Sequence, residues 1–319
     1  MILVVTHSTD LGADLVIRQL RDRNARYHRL NTDRLGSPAC HVGFAAGAEL
    51  VDDGMLLPAG AISAVWHRRL AHPAALDRVA PPLRAFAERE LATALDGFLD
   101  SIAGLQVNPV EADRIAGNRL LQAGRAAAAG LAVPAMLVTQ DAVRAQAFAA
   151  AQGPVVAKAL SFGLLDARTG AATYTTALAP DTDWSGLQVT PCLLQARVPK
   201  RHEWRVTTVG DRVFAARTRL DAPVDPDDWR LSADVATLFE PAALPAAVEL
   251  RLLRLCRAGG LAFATHDLIE TPEGAFYFLE TNPAGQWGWL ELSLGLPIGA
   301  ALADLLMAGR AGGDGPGET

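Results

Sequence analysis

Residues 2–5, Ile-Leu-Val-Val, are an uninterrupted apolar run at the head of the chain. A run this short and β-branched reads as a strand buried on both faces, the condition of a parallel sheet. Ser8 and Asp10 then offer a helix cap, and Leu11, Leu15, Val16, Ile17 and Leu20 follow helical spacing. Tyr27–Asn31 reads as a second strand. Strand, helix and strand in this order predict a right-handed β-α-β unit, and so an α/β layer at this end of the protein.

Length and makeup bound what can follow. At about 150 residues per domain, 319 residues make two domains, or three small ones. Half of the residues are hydrophobic and 20% are charged, which suits a packed core and excludes a disordered chain. A net charge of -6 supplies no basic field, so nucleic acid is not an expected partner. The longest stretch without Asp, Glu, Lys or Arg is Ala126–Gln140, broken by Gly130 and Pro134. It is too short for a bilayer, so a membrane is not expected either. Met1–Asp10 lacks a basic start and does not read as a signal peptide. Cys40, Cys192 and Cys256 lie far apart, without metal-ligand spacing, and suit reduced, buried thiols. A cytoplasmic location is the expectation.

Further along, short strands are predicted over 42–66 and a long helix over Leu83–Ile102, with a boundary at Val107-Asn108-Pro109. One helix is predicted from Ala112 to Ala129, then a strand over Ala135–Thr139, a helix over Asp141–Ala151 and a strand over Pro154–Leu160. Residues 161–172 read as a loop, Thr173–Ala177 as a strand, and Gln188–Val198 as containing another. Glu203–Val209 and Arg212–Arg219 alternate around Gly210-Asp211 as a hairpin. Residues 221–246 read as irregular, and Pro245–Gly259 and Pro297–Met307 as helices. Leu261–Ile269 and Ala275–Asn282 read as strands joined by Thr271-Pro-Glu-Gly274.

Several chemistries are absent. No G-x-x-x-x-G-K-[ST] loop exists, no G-x-G-x-x-G follows the first strand, and neither G-x-S-x-G nor H-E-x-x-H occurs. His67 and His72 lack carboxylate or cysteine company and make a poor metal pair.

Three segments carry polar chemistry. If Thr271–Gly274 closes a hairpin with a two-residue loop, Asp267 faces Phe278, and Asp267, Glu280 and Asn282 project from one face. Two carboxylates and an amide oxygen suit a hard cation such as Mg²⁺; three solvated residues at a strand end are the plain alternative. Lys158 lies inside the apolar strand Val155–Ala159, one of only two lysines among 29 basic residues. It is either a compact ammonium facing phosphate or an edge lysine reaching water. Lys200, Glu203 and Arg205 bring charge to a strand junction, with Glu203 and Arg205 on one face. An arginine there can hold a transferring phosphoryl group, or the charges can form a surface ion pair.

Strand lysine, hinge strand, K-x-x-E-x-R, D-x-I and F-L-E-x-N-P, in that order, resemble the ATP-grasp ligases. Val65-Trp-His-Arg-Arg69, Val107-Asn-Pro109, Lys200–Arg205 with Val209-Gly-Asp211, Asp228-Trp-Arg230 and Phe278–Trp289 resemble, within them, the graspetide synthetases. These are macrocyclases of microviridin-type ribosomal peptides, and the likeness extends over about residues 1–308, in particular to the actinobacterial-type maturases.

The resemblance implies an α/β and α+β chain with an ATP-grasp fold behind a Rossmann-like N-terminal domain. Domains at 1–110, 111–190 (a lid) and 191–308 are expected, with a disordered tail at 309–319. It implies ATP and Mg²⁺ as cofactors, with Asp267, Glu280 and Asn282 as metal ligands. Lys158 would bind the α/β-phosphates, and Gln195, Ala196, Arg197 and Val198 would hold adenine through the backbone, with Glu203 also on the nucleotide. Arg205 would contact the γ-phosphate and the acyl phosphate. Arg119 stands where the family usually has lysine, and would meet phosphate with different geometry. Arg230 and Lys200 would meet the peptide.

The implied reaction is ATP-dependent closure of ester or amide rings in a precursor peptide, leader and core, by a homodimer. A RimK-like ligase and a nucleotide-gated peptide-binding protein are the alternatives.

Overall fold

The computed structural model describes residues 1–161, 164–166, 171–172, 175–179, 181–221 and 235–309. Its first part is a four-stranded parallel sheet of order β2-β1-β6-β7, made of β1 (Ile2–Thr6), β2 (Tyr27–Asn31), β6 (Ala64–His67) and β7 (Leu105–Val107). Helix α1 (Leu11–Asp22) follows β1, and Asp10 caps it by accepting from the Gly12 and Ala13 amides at 2.9 and 3.2 Å. Between β2 and β6 lies a small antiparallel sheet of β3 (Cys40–Phe44), β4 (Ala48–Asp52) and β5 (Met55–Pro58). Helix α2 (Pro81–Asp100) precedes β7.

Alternation in β1 divides the core. Ile2 and Val4 pack with Leu15, Val16 and Leu20 of α1, whereas Leu3 and Val5 pack with Leu95, Phe98 and Leu99 of α2 and with Leu50 and Leu57. Both faces of this strand are therefore dry, as its apolar run requires.

The second part begins with α3 (Val110–Ala116) and α4 (Arg119–Ala128). The single helix expected over Ala112–Ala129 is two, because the Asn118 side chain accepts from the Leu120 and Leu121 amides at 3.0 and 3.4 Å and starts a new helix. Next come β8 (Met136–Thr139), α5 (Ala142–Gln152), β9 (Val155–Lys158), the short pair β10 (Leu164–Asp166) and β11 (Ala171–Ala172), β12 (Thr176–Ala177) and β13 (Cys192–Ala196). Their main sheet has order β12-β9-β13-β8 and is antiparallel where paired. The strand expected at Thr173–Ala177 is seen at Thr176–Ala177, and 173–174 lie outside the described residues.

The third part is a five-stranded antiparallel sheet of order β16-β15-β14-β17-β18. It comprises β14 (His202–Val209), β15 (Arg212–Thr218), β16 (Phe239–Pro241), β17 (Phe263–Glu270) and β18 (Phe276–Asn282). Val209 pairs with Arg212, so Gly210-Asp211 is the two-residue loop expected. The region read as irregular contains α6 (Val235–Leu238) and β16, while 222–234 lie outside the described residues. Helix α7 (Ala246–Gly259) packs under this sheet through Val248, Leu252 and Leu255, against Trp204, Val206, Leu268 and Phe278. Helix α8 (Gly288–Leu294) was not expected from the sequence; α9 (Ile298–Ala308) was. Helix α9 packs on α1, so the chain's end closes over its beginning. Of the expected tail only Gly309 is described.

No described helix is long and apolar enough to cross a membrane. All three cysteines are free; Cys40 and Cys256 are buried and Cys192 is partly so. Burial pushes the Cys256 thiol up to about 11, which makes it chemically quiet.

Candidate active site

The hairpin of β17 and β18 departs from the two-residue loop expected. Thr271 donates to the Ala275 carbonyl at 2.8 Å, and Gly274 to that of Thr271 at 2.9 Å, enclosing three residues with Gly274 at φ +83°. Continued regularly, this register would set Asp267 opposite Leu279 and turn Glu280 to the other face. A bulge intervenes: Leu268 pairs with Phe278, but Asp267 pairs with Glu280, leaving Leu279 as the extra residue. Asp267 and Glu280 are thus directly opposed, and Asn282 lies two residues along the same strand. The shared face expected for the three residues is found, reached by a different register.

Neighbouring strands add charge to this face. Arg205 of β14 lies opposite Asp267 and donates from Nη1 to its Oδ1 at 2.6 Å and from Nη2 to the Gln286 carbonyl at 3.0 Å. Arg205 is 6% exposed, and its Nε has no hydrogen-bond partner among the described residues. Two residues earlier on β14, Glu203 accepts from Lys200 Nζ at 2.5 Å. The Glu203 side chain is only 11% exposed, so this is not the surface ion pair considered above. Arg119, the first residue of α4, donates to Glu280 Oε2 at 2.8 Å. Asn282 Oδ1 accepts from the Ala284 amide at 3.1 Å.

Two buried amides hold the site in place. Gln122, one turn along α4 from Arg119, donates to the Ala116 and Thr281 carbonyls at 2.7 and 2.8 Å and accepts from the Thr281 amide at 3.0 Å. It ties α4 to β18 beside Glu280. Asn108, just after β7, accepts from the Ala262 and Phe263 amides at 2.8 and 3.0 Å and donates to the Phe263 and Pro283 carbonyls at 2.8 and 3.2 Å. It joins the parallel sheet to both strands of the hairpin. Gly285 completes the junction: a Cβ there would lie 1.8 Å from Thr265 Oγ1, so only glycine lets this loop pass over β17. Behind the sheet, His266 meets Thr281 Oγ1 at 2.9 Å and Thr208 Oγ1 at 3.2 Å. Burial pushes its ring down to about 3, so it is neutral and structural.

Lys158 is on an interior strand, between β12 and β13, and donates to Gln195 Oε1 at 2.8 Å. The edge lysine reaching for water is therefore excluded. The Ala196 amide donates to Ala135 and the Arg197 amide to Pro154, both at 2.8 Å, because β13 is paired on both sides. Their N–H groups are spent inside the protein, and Val198 is the first hinge residue whose amide has no partner among the described residues. A cavity of about 480 Å³ adjoins this hinge, lined by Ala196, Arg197 and Val198, by Thr271 and Ala275 of the β17–β18 turn and by Tyr277 of β18. Neither Lys158 nor Gln195 lines it. Arg230 lies outside the described residues.

Sequence reasoning missed Gln122 as a support and used Asn108 only as a boundary. A single amide among apolar neighbours was the available signal. It also missed Arg68, whose guanidinium donates to both oxygens of Asp10 at 3.0 Å, both side chains being buried. Burial alone would raise the Asp10 pKa, but the bonds from Arg68, Thr6 and Ala13 outweigh it and hold the carboxyl well below its usual range.

Residues 1–114 match the model of the MvdD pre-ATP grasp domain. The solved structure of macrocyclase MdnC from Microcystis aeruginosa, bound with precursor peptide MdnA, is 29% identical. That match covers 96% of this chain and 99% of the other, with a TM-score of 0.85. A ribosomal-peptide-associated ATP-grasp ligase from Chryseobacterium gregarium, in complex with ADP and a leader and core peptide, is 25% identical. There 97% of each chain is covered, with a TM-score of 0.88. The chain has the ATP-grasp fold and is similar over nearly its whole length to ligases of the graspetide-synthetase type. Macrocyclase MdnB, also from Microcystis aeruginosa, is 28% identical over 96% of this chain and 98% of that chain, with a TM-score of 0.79. A RimK domain protein from Sphaerobacter thermophilus, at 18% identity and a TM-score of 0.58, shares the fold alone. No curated protein matches the chain in sequence.

Proposed function

We propose that this protein closes rings in a ribosomally made precursor peptide, using ATP to activate Asp or Glu side chains. The observation that carries the reading is the polar face on β14, β17 and β18, where Arg205, Asp267 and Glu280 stand on adjacent strands. Its likeness to macrocyclases solved with precursor peptide and with ADP supports the substrate. Carboxylate and amide oxygens on one face fit Mg²⁺, with Asp267, Glu280 and Asn282 as the holding residues. The arginines now paired with both carboxylates show that the site already accommodates compensating positive charge. When bound, the metal supplies charge neutralisation to the β- and γ-phosphates.

The remaining roles belong to the chain's own side chains. Lys158 binds the α/β-phosphates, and Glu203 with the backbone of the hinge at Gln195, Ala196, Arg197 and Val198 holds the nucleoside, Ala196 and Arg197 through their carbonyls because their amides are paired within the protein. Arg205 orients the γ-phosphoryl group from beside Asp267. Arg119 either meets phosphate, as the family pattern suggests, or holds Glu280 ready for the metal; its bond to Glu280 favours the second role. Lys200 and Arg230 are proposed for the peptide.

The peptide carboxylate oxygen bonds to the γ-phosphorus while the bond from phosphorus to the β-phosphate oxygen breaks, and ADP leaves with the electron pair. A Ser or Thr hydroxyl, or a Lys amine, of the same peptide then attacks the acyl phosphate. Phosphate departs and carries the proton, leaving an ester or an amide. The division at residues 110 and 190, a homodimer and a cytoplasmic location complete the reading, on the strength of the resemblance alone.

The test is incubation with Mg²⁺, ATP and the short acidic peptide encoded by a neighbouring reading frame. Loss of one water per ring, with the peptide resistant to a protease that cuts the linear form, supports the reading. A peptide of unchanged mass under all conditions overturns it.

A further inference from the structure

Glu280 and Asn282 flank Thr281 on β18, so alternation sends their side chains to one face and that of Thr281 to the other. The Thr281 hydroxyl accordingly meets His266 Nδ1 behind the sheet, at 2.9 Å. β18 is the outer strand of its sheet, and an outer strand leaves backbone groups without a neighbouring strand to bond. At Thr281 a side chain bonds both. The Gln122 carboxamide accepts from the Thr281 amide at 3.0 Å and donates to the Thr281 carbonyl at 2.8 Å. A carboxamide carries a donor and an acceptor side by side, as a peptide unit does, and stands in for the missing strand at this one residue.

The bulge makes that substitute necessary. Leu279, the extra residue, lies between Phe278, which pairs with Leu268, and Glu280, which pairs with Asp267. On the outer edge the Phe278 amide donates to the Ala132 carbonyl at 2.8 Å. The strand is thus held from outside on both sides of Leu279, by Ala132 before it and by Gln122 after it. Relaxing the bulge into a regular ladder would shift residues 280–282 by one position and turn Glu280 and Asn282 to the rear face. The same shift would turn the Thr281 amide and carbonyl toward β17, away from Gln122. Gln122 therefore bonds only the bulged register. It is itself firmly placed: 7% exposed, it also donates to the Ala116 carbonyl at the end of α3, at 2.7 Å. Ala126, one turn further along α4, is packed in the core with Val248 and Leu252 of α7. Arg119, one turn earlier, donates to Glu280 Oε2, so one helix face grips two successive residues of β18.

We propose that Gln122 is a positioning residue of the metal site: by completing the outer edge of β18 at Thr281, it holds the bulged register that brings Glu280 and Asn282 to the face of Asp267. The proposal rests on the reading of those three residues as the metal ligands. It separates two duties of Gln122. Its bond to Ala116 joins α3 to α4 and serves the fold, whereas its two bonds to Thr281 set where the neighbouring oxygens stand. Ligands placed from outside in this way lose metal affinity when the outer partner is removed, even though the ligands themselves remain.

The test titrates the full chain, saturated with ADP, with Mn²⁺, which takes the same oxygen ligands as Mg²⁺ and reports by electron paramagnetic resonance. Q122M keeps the length of the side chain and loses its hydrogen bonds. It is expected to weaken Mn²⁺ binding by about 10-fold or more, while the Kd of ADP without metal stays within about 2-fold. Q122N keeps the carboxamide but is one methylene too short to reach β18. It should lose as much, and it gives the answer if Q122M does not fold. A126G loosens the same helix without touching Thr281, so it should lower the melting temperature yet leave Mn²⁺ affinity within about 2-fold. That contrast separates positioning from stability. Unchanged Mn²⁺ affinity in Q122M or Q122N overturns this assignment alone, as does an equal loss in A126G. A wild type whose ADP complex holds Mn²⁺ no more tightly than free ADP does overturns the metal reading and the assignment with it.

Discussion

Arg205 and Asp267 face one another across β14 and β17, joined at 2.6 Å, while the other terminal nitrogen of Arg205 reaches the Gln286 carbonyl at 3.0 Å. One side chain thereby connects the candidate metal face to the seam with the parallel sheet. Lysine has one ammonium and cannot serve both directions at once. Arg205→Lys is expected to lower kcat by about 100-fold with little change in ATP affinity, because the contact strengthens as charge moves onto the γ-phosphoryl oxygens. Steady-state kinetics check this; a change in ATP KM alone would make Arg205 a ground-state anchor.

Glu280 stands opposite Asp267 and holds Arg119. Glu280→Gln keeps the shape of the side chain but removes a charge from the metal face. We expect kcat to fall by about 1,000-fold, or about 4 kcal/mol of barrier, with the fold intact by circular dichroism. Asn282→Ala should fall less, because a neutral oxygen contributes less. Near-normal turnover of Glu280→Gln at saturating Mg²⁺ would remove Glu280 from the site.

Half-buried Lys158 and buried Gln195 are bonded across neighbouring strands. Lys158→Met retains an apolar stem and loses the ammonium. ATP binding should weaken by about 10-fold and turnover should fall with it. The Gln195 oxygen, left without this donor, should also cost about 1–3 kcal/mol of stability. Calorimetric titration with AMPPNP and a denaturant series separate the two effects; unchanged affinity would confine Lys158 to a structural role.

His266 gives a pH signature independent of activity. Its ring titrates near 6.5 when exposed, and burial pushes it down to about 3 in the folded chain. Above pH 6.5 both states are neutral and the group adds no pH dependence. Below that, down to about 3, the unfolded state takes a proton that the folded state refuses, so stability falls as pH falls. One proton contributes at most about 1.4 kcal/mol per pH unit. His266→Gln should flatten the dependence of the urea midpoint on pH between pH 6.5 and 4, and an unchanged slope would contradict this.

Much of this architecture is legible in the residues because local signals and burial agree. Ile2–Val5 had to be buried on both faces, and α1 and α2 bury them. Gly210-Asp211 had to be a tight turn, and it is. The hairpin was harder. Pro272-Glu-Gly274 encloses one residue more than expected and Leu279 bulges. Each shifts the register by one, so the shared face of Asp267, Glu280 and Asn282 survived two compensating differences. Strand alternation cannot reveal a bulge whose extra residue is as apolar as its neighbours. The supports at Gln122, Asn108 and Arg68 join segments distant in the chain, and periodicity carries no such information. The hinge shows the same limit: whether the Ala196 and Arg197 amides are free depends on which strands flank β13.

The central claim is that charge stabilisation on β14, β17 and β18 serves γ-phosphoryl transfer to a peptide carboxylate. Nucleotide chromatography and peptide mass, taken on one reaction, test it most directly. The account expects ADP and phosphate, one of each for every water lost from the peptide. AMP with pyrophosphate would contradict it, and ADP with a peptide that gains the mass of an amino acid would move the function to a RimK-like ligase.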